Sequence, residues 1–220
     1  MDEYLSEREQ VDRIRQWWKD NGAWIIVGVG VGVLSLASWN WWQGYQLKRA
    51  EQASAIYSAL SEAVVEERMD DVRNGVERLA AGHSSSPYLQ HGRLVLAAVM
   101  VRDGDLEAAI EQLELVLKDA RDAQLALVAR LRLARLLVAK GDEERALRVV
   151  REVEAGAFAP ALLEVEGDAL AAGGDLEGAR DAYRRALEGA ATLGPVIDQE
   201  LVQLKLEALA SGPGAGSDAS

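Results

Sequence analysis

The chain of 220 residues carries 24 basic and 36 acidic side chains, a net charge of −12, and it contains no cysteine. The lack of cysteine excludes disulfides, zinc–thiolate sites and thiol nucleophiles. The acidic balance argues against a nucleic-acid partner, since binding to phosphates needs a basic stripe.

An uncharged apolar run dominates the N-terminal part of the chain. No charged side chain lies between Asp20 and Lys48, and about 20 apolar residues in a helix cross a hydrocarbon core. Tryptophan prefers the headgroup zone. The pattern predicts one transmembrane helix over residues 22–43, integral to the membrane. All six tryptophans lie at the two ends of this run, at Trp17, Trp18, Trp24, Trp39, Trp41 and Trp42.

The flanks of the run decide between an anchor and a cleaved signal peptide. A signal peptide has a basic N-terminal region and a short apolar segment before small residues, whereas here the run is long and tryptophans follow it. Orientation follows the excess of bases on the cytoplasmic side. That excess predicts a cytoplasmic juxtamembrane segment at 1–21 and the rest of the chain across the membrane, in the periplasm of a Gram-negative host. Four bases precede the run and two follow it closely, namely Arg8, Arg13, Arg15, Lys19, Lys48 and Arg49.

Small residues occupy one face of the predicted span. Gly28, Gly32 and Ser35 fall at i, i+4 and i+7. Such a face lets another membrane helix approach closely. We expect these three residues to be a helix-packing site. Glycine is also common in membrane helices without any such contact, and that alternative stays open.

A repeat with helical periodicity follows the span. The segment 103–109 (DGDLEAA) is echoed at 140–146 (KGDEERA) and at 173–179 (GGDLEGA), and its central glycines are 37 and 33 residues apart. A helix–turn–helix unit of about 34 residues is the tetratricopeptide period. Glycine would end the first helix in a left-handed cap, and aspartate would cap the second. The pattern predicts an all-α fold, with a single N-terminal transmembrane helix followed by a tetratricopeptide-like helical repeat domain.

The predicted domain extends over residues 44–210, with three repeats at about 87–121, 123–156 and 160–191. An irregular first hairpin precedes the repeats. A capping helix at 195–210 covers the apolar end of the stack. The segment 211–220 (SGPGAGSDAS) has the composition of a flexible tail.

Four short segments carry a resemblance to a known family. They are EQV at 9–11, WWKDNG at 17–22, LRLARL at 131–136 and GDAL at 167–170. In this order they closely resemble the YfgM-like family, the ancillary subunit of the bacterial Sec translocon. The resemblance implies a single-pass inner-membrane protein with a periplasmic repeat domain. It further implies association with the SecYEG translocon, with a PpiD-like membrane-anchored periplasmic chaperone, and with unfolded secretory chains.

The residues themselves predict no catalytic site, no metal site and no cofactor. The two histidines, His83 and His91, lack a metal-ligand spacing. A non-enzymatic binding role is therefore predicted, through the concave groove that the first helix of each tetratricopeptide repeat lines. The groove candidates for client binding are His91, Leu94, Ala98, Val101, Val128, Leu131, Arg135, Val138, Ala161, Glu164, Asp168 and Ala171.

Three alternatives accompany this interpretation. Several of the aliphatic groove candidates could instead be ordinary core between helices. The protein could also be a membrane-tethered tetratricopeptide scaffold of another cell-envelope complex, or a regulator acting through its cytoplasmic segment. The element at 9–22 favours the translocon subunit.

Overall fold

The computed structural model describes residues 7–151, 153–193 and 197–210. Across these residues all regular structure is helical, which confirms the all-α prediction. The predicted tail at 211–220 and the start of the predicted capping helix lie outside the described residues. The helices are α1 Glu7–Val65, α2 Met69–Gly82, α3 Pro87–Arg102, α4 Leu106–Asp119, α5 Ala123–Lys140, α6 Glu143–Arg151, α7 Ala159–Ala172, α8 Leu176–Leu193 and α9 Gln199–Ala210, with a short 3-10 turn at Gly156–Phe158.

Helix α1 is continuous for 59 residues. Among the described residues it is the one helix that contains a stretch long and apolar enough to cross a membrane. Leu34 and Leu36 on this stretch are 68% and 70% exposed, whereas a core helix of a soluble domain would bury such side chains. Exposed apolar side chains over this length fit a lipid-facing helix.

The chain divides into two compact units, Met1–Gln52 and Ala53–Ser220. The second unit starts with the last turns of α1, where Ala53 and Leu60 are buried. Leu60 also contacts α2, since a Cβ at Gly75 would lie 3.1 Å from its side chain. The end of α1 and α2 therefore form the first hairpin of the repeat domain.

Three helical hairpins follow in the order that the repeat period predicts. Each first helix packs on its own second helix, α3 on α4, α5 on α6 and α7 on α8. Each second helix also packs on the helix that follows, so the hairpins form a continuous stack that ends with α9 on α8. Each second helix has near its start a small residue that lets it pack closely on its neighbour. These residues, Ala109, Ala146 and Ala179, are fully buried.

The turn inside each hairpin has the predicted local structure. Gly104, Gly141 and Gly174 have φ angles of +84°, +80° and +86°, which side chains with a Cβ rarely adopt. The following aspartate then caps the second helix. In each hairpin the capping carboxylate accepts a hydrogen bond from a backbone N–H three residues further on, at 3.1, 3.3 and 2.9 Å. The donors and acceptors are Ala108 to Asp105, Arg145 to Asp142 and Gly178 to Asp175.

Glu166 is a charged residue where the other repeats have leucine, Leu96 and Leu133. Its carboxylate accepts a hydrogen bond from Nε of Arg151, at the end of α6, at 2.7 Å. The side chain of Glu166 is only 16% exposed. An ion pair between neighbouring repeats therefore replaces the apolar contact at this position.

Candidate functional site

A solvent-open depression lies between the first helices of the first two repeats. Its cavity volume is about 300 Å³. Ala98 and Val101 of α3 and Arg135 of α5, all predicted groove residues, lie together at this depression. Its remaining lining residues are Ala97, Leu113, Arg132 and Leu136.

The lining combines an apolar floor with a cationic edge. Val101 is 39% exposed, so its side chain is accessible from solvent at the floor of the depression. Arg132 and Arg135 are both exposed and stand three residues apart on α5, so their guanidinium groups lie on neighbouring turns of one helix face. The depression can accept an aliphatic side chain and present hydrogen-bond donors beside it.

Several predicted groove residues lie in the core. Leu94 is 6% exposed and Ala161 is fully buried, so neither side chain offers a surface to a partner. Val128, Leu131 and Val138 are partly buried and pack against the core clusters, as does Ala171. For Leu94 and Ala161 the structure favours the alternative of ordinary core packing.

His91 lies on the exposed surface of α3, near the start of the groove. Its ring stands edge-on to Tyr57, with 6.4 Å between ring centroids. Among the described residues no group of three histidine or carboxylate side chains is arranged to hold a metal ion. The structure thus gives the His91 imidazole a ring contact with Tyr57 at the surface.

The third-repeat end of the predicted groove is occupied by the protein itself. Nζ of Lys205 on α9 donates to Glu164 at 2.9 Å and to both carboxylate oxygens of Asp168 at 2.8 and 2.9 Å. Tyr183 donates its hydroxyl to Asp168 at 2.7 Å, and Nη2 of Arg135 lies 3.5 Å from Glu164. The two acids that the sequence predicts as client contacts are therefore engaged within the domain.

Two pKa values in this cluster are raised. Burial raises the pKa of the Tyr183 hydroxyl, and its hydrogen bond to Asp168 raises it further. Burial lowers the pKa of Lys205, but the hydrogen bonds to Asp168 and Glu164 outweigh this effect and raise it overall. Both groups therefore hold their protons firmly at neutral pH, so a Lys205 cation and a neutral Tyr183 hydroxyl face the two acids.

Sequence reasoning missed part of the depression. The predicted set followed one face of α5 and omitted Arg132 and Leu136, which lie one position further around the helix than Leu131 and Arg135. A prediction that also took the residue directly after each candidate on α5 would have included Arg132 and Leu136. Lys205 carries no such signal, because it comes 37 residues after Asp168 on a helix outside the repeats.

The predicted membrane-packing residues lie on one face of α1. A Cβ built at Gly28 or Gly32 would meet no heavy atom within 4 Å, and Ser35 is exposed. The small-residue face is therefore open for a neighbouring helix, and its use as a packing site stays a prediction.

Comparison with known proteins decides the family. Residues 15–211 match the family model described as a tetratricopeptide repeat-like domain. A protein of Escherichia coli strain K12, named ancillary SecYEG translocon subunit, is 32% identical to this chain, and the match covers 95% of this chain and 99% of the relative. The chain belongs to the family of ancillary SecYEG translocon subunits, which carry this tetratricopeptide repeat-like domain. The resemblance to the YfgM-like family is thereby confirmed.

Further relatives agree with this assignment. A Haemophilus influenzae protein of the same name is 27% identical, over 93% of this chain and 98% of its own length. Among solved structures, "MamA 41-end from Desulfovibrio magneticus RS-1" superposes with a TM-score of 0.57 at 18% identity, covering 72% of this chain and 83% of that one. At this identity the structural likeness shows the fold alone, and it agrees with the tetratricopeptide-like stack of the ancillary subunit family.

Proposed function

We propose that the protein is a non-enzymatic ancillary subunit of the Sec translocon in the bacterial inner membrane. The observation that carries the proposal is the match over 95% of this chain and 99% of a relative named ancillary SecYEG translocon subunit. A match of this length includes the apolar helix as well as the repeats, so both the anchor and the binding module are shared. The helical stack supports a binding role, because repeat arrays offer extended surfaces to partners.

Residues 22–43 of α1 place the protein in the membrane beside its partners, with the N-terminus in the cytoplasm. The bases before the span support this orientation. The face of Gly28, Gly32 and Ser35 docks a membrane helix of SecYEG or of a PpiD-like membrane-anchored chaperone, because small residues permit close approach of the two backbones.

The repeat domain, in the periplasm, contacts newly exported chains through the depression between α3 and α5. Two observations support this location. Val101 and the arginines at the edge are exposed there, whereas the acids of the third repeat are engaged by Lys205. An open depression with an apolar floor suits weak, adaptable contact with an unfolded segment.

Co-purification in mild detergent tests the translocon assignment. The affinity-tagged wild type should retain SecYEG components, and Gly28→Leu combined with Gly32→Leu should lose most of them. A matched control is Gly30→Leu combined with Ala37→Leu, which adds similar bulk to the opposite face of the helix and should leave co-purification unchanged. If no Sec component accompanies the wild type, the scaffold of another envelope complex becomes the better assignment.

A further inference from the structure

The cationic edge of the depression is unusual within this acidic chain. The protein carries a net charge of −12, and several arginines of the repeat domain are paired with carboxylates. Arg93 pairs with Asp119 at 3.0 Å and Arg151 with Glu166 at 2.7 Å. Arg132, by contrast, makes no ion pair within residues 7–151, 153–193 and 197–210, although it lines the depression.

The neighbouring arginine is only partly engaged. Arg135 has a single ion-pair contact, at 3.5 Å to Glu164, and its own side chain is 52% exposed. A guanidinium group has five N–H donors in a planar fork that matches a carboxylate. Donors of both arginines are thus available within reach of the apolar floor formed by Ala98 and Val101.

We propose that the depression between α3 and α5 selects extended client segments in which an aspartate or glutamate side chain stands next to an aliphatic one. The aliphatic side chain fills the floor, and the carboxylate binds Arg132 and Arg135. This inference rests on the proposed function, since it names the chemistry of the clients that the groove takes. A volume of about 300 Å³ accommodates a few side chains and no folded surface.

The surroundings of the two arginines favour binding of a carboxylate from an aspartate or glutamate side chain over binding of a C-terminal carboxylate. Capture of a terminal carboxylate uses clustered free backbone N–H groups. Here the lining residues lie inside α3, α4 and α5, where the backbone N–H groups are bonded within the helices. Basic side chains are disfavoured as well, because Glu164 and Asp168, the nearby acids of the groove, are already held by Lys205.

Peptide binding to the full-length chain in lipid nanodiscs tests this selectivity. Three fluorescent peptides with amidated C-termini alternate leucine with glutamate, with glutamine or with lysine, and a fourth is the glutamine peptide with a free C-terminus. Charge-assisted hydrogen bonds are stronger than neutral ones, so we expect the glutamate peptide to bind about tenfold more tightly than the glutamine peptide. General attraction to a chain of net charge −12 would instead favour the lysine peptide.

Two variants tie the selectivity to the edge of the depression. Arg132→Glu should abolish the preference for glutamate, and Arg132→Gln should reduce it without placing a negative charge at the edge of the depression. Arg184→Glu on α8 is the matched control, since Arg184 is exposed, lies outside the depression and changes the net charge equally. Equal losses in Arg132→Glu and Arg184→Glu would overturn the inference.

The remaining outcomes separate the inference from the proposed function. Equal affinity for the glutamate and glutamine peptides, or tightest binding of the peptide with a free C-terminus, overturns the acidic selectivity. If binding is then still lost in Val101→Asp, the groove remains a client site and the proposed function stands. If no peptide binds, the inference falls, and co-purification with SecYEG decides the function separately.

Discussion

The ring of Tyr183 on α8 packs directly against the backbone of Gly167 on α7. A Cβ at residue 167 would lie 2.5 Å from Cε1 of Tyr183, a distance that real Cβ contacts do not show. The equivalent positions are alanine against smaller side chains in the other repeats. Ala97 shares a core cluster with Leu113, and Ala134 shares one with Val150. The larger side chain in the third repeat is therefore matched by a smaller residue across the crossing.

This matched pair predicts a coupled effect on stability. Gly167→Ala should lower the free energy of unfolding by about 1–3 kcal/mol, because a methyl group is forced into a filled space. In a chain that also carries Tyr183→Leu, Gly167→Ala should lower the free energy of unfolding by much less. Thermal unfolding followed by circular dichroism measures both. Gly82→Ala is the control, since its Cβ would meet no atom within 4 Å, and additive effects of Gly167→Ala and Tyr183→Leu would contradict the pairing.

Lys205 attaches α9 to the third repeat, and its removal should loosen that helix. Lys205→Met leaves Asp168 without its cation and Glu164 with only the 3.5 Å contact to Arg135. Removing the partner of a buried polar group costs about 1–3 kcal/mol of stability. Amide hydrogen exchange in 199–210 should accelerate. Lys118→Met is the control, because Lys118 is exposed at the end of α4 and contributes only a few tenths of a kcal/mol there. Unchanged exchange in α9 would show that Lys205 does not hold it.

The same cluster predicts how stability depends on pH. Tyr183 and Lys205 have pKa values raised above the ordinary 10.0 and 10.5. A group with a raised pKa in the folded state stabilises fully below its unfolded pKa, and this stabilisation is lost as the pH rises through the folded pKa. The melting temperature should therefore start to fall above about pH 10. Tyr183→Phe combined with Lys205→Met should flatten this fall, and an equally steep fall in the double variant would contradict the assignment.

Local features of the fold could be predicted from the sequence, whereas the groove could be predicted only in part. Gly141 and Asp142 determine their turn through their own φ angle and side-chain cap, so the repeat pattern was sufficient to place the helices. The groove face and the core face of a first helix are adjacent, and periodicity could not separate exposed Val101 from buried Leu94. The contact of Lys205 with Asp168 depends on tertiary packing, which no local pattern encodes.

The excess of bases before the span predicts the topology. Reporter fusions after Arg49 and after Ala210 should be active only with a reporter that works outside the cytoplasm. A fusion after Trp18 is the control and should be active only with a cytoplasmic reporter. Cytoplasmic activity at Ala210 would reverse the orientation and would place the repeat domain on the wrong side for exported chains.

Site-specific photo-crosslinking detects contact between the depression and an exported chain. Photoreactive residues replace Ala98 and Val101 at the depression, and Arg184 and Lys118 at exposed positions outside it. Each variant is irradiated in inner-membrane vesicles that hold a secretory chain arrested during translocation. We expect crosslinks to the secretory chain from positions 98 and 101 and few from positions 118 and 184. Crosslinks from the control positions with none from the depression would contradict it.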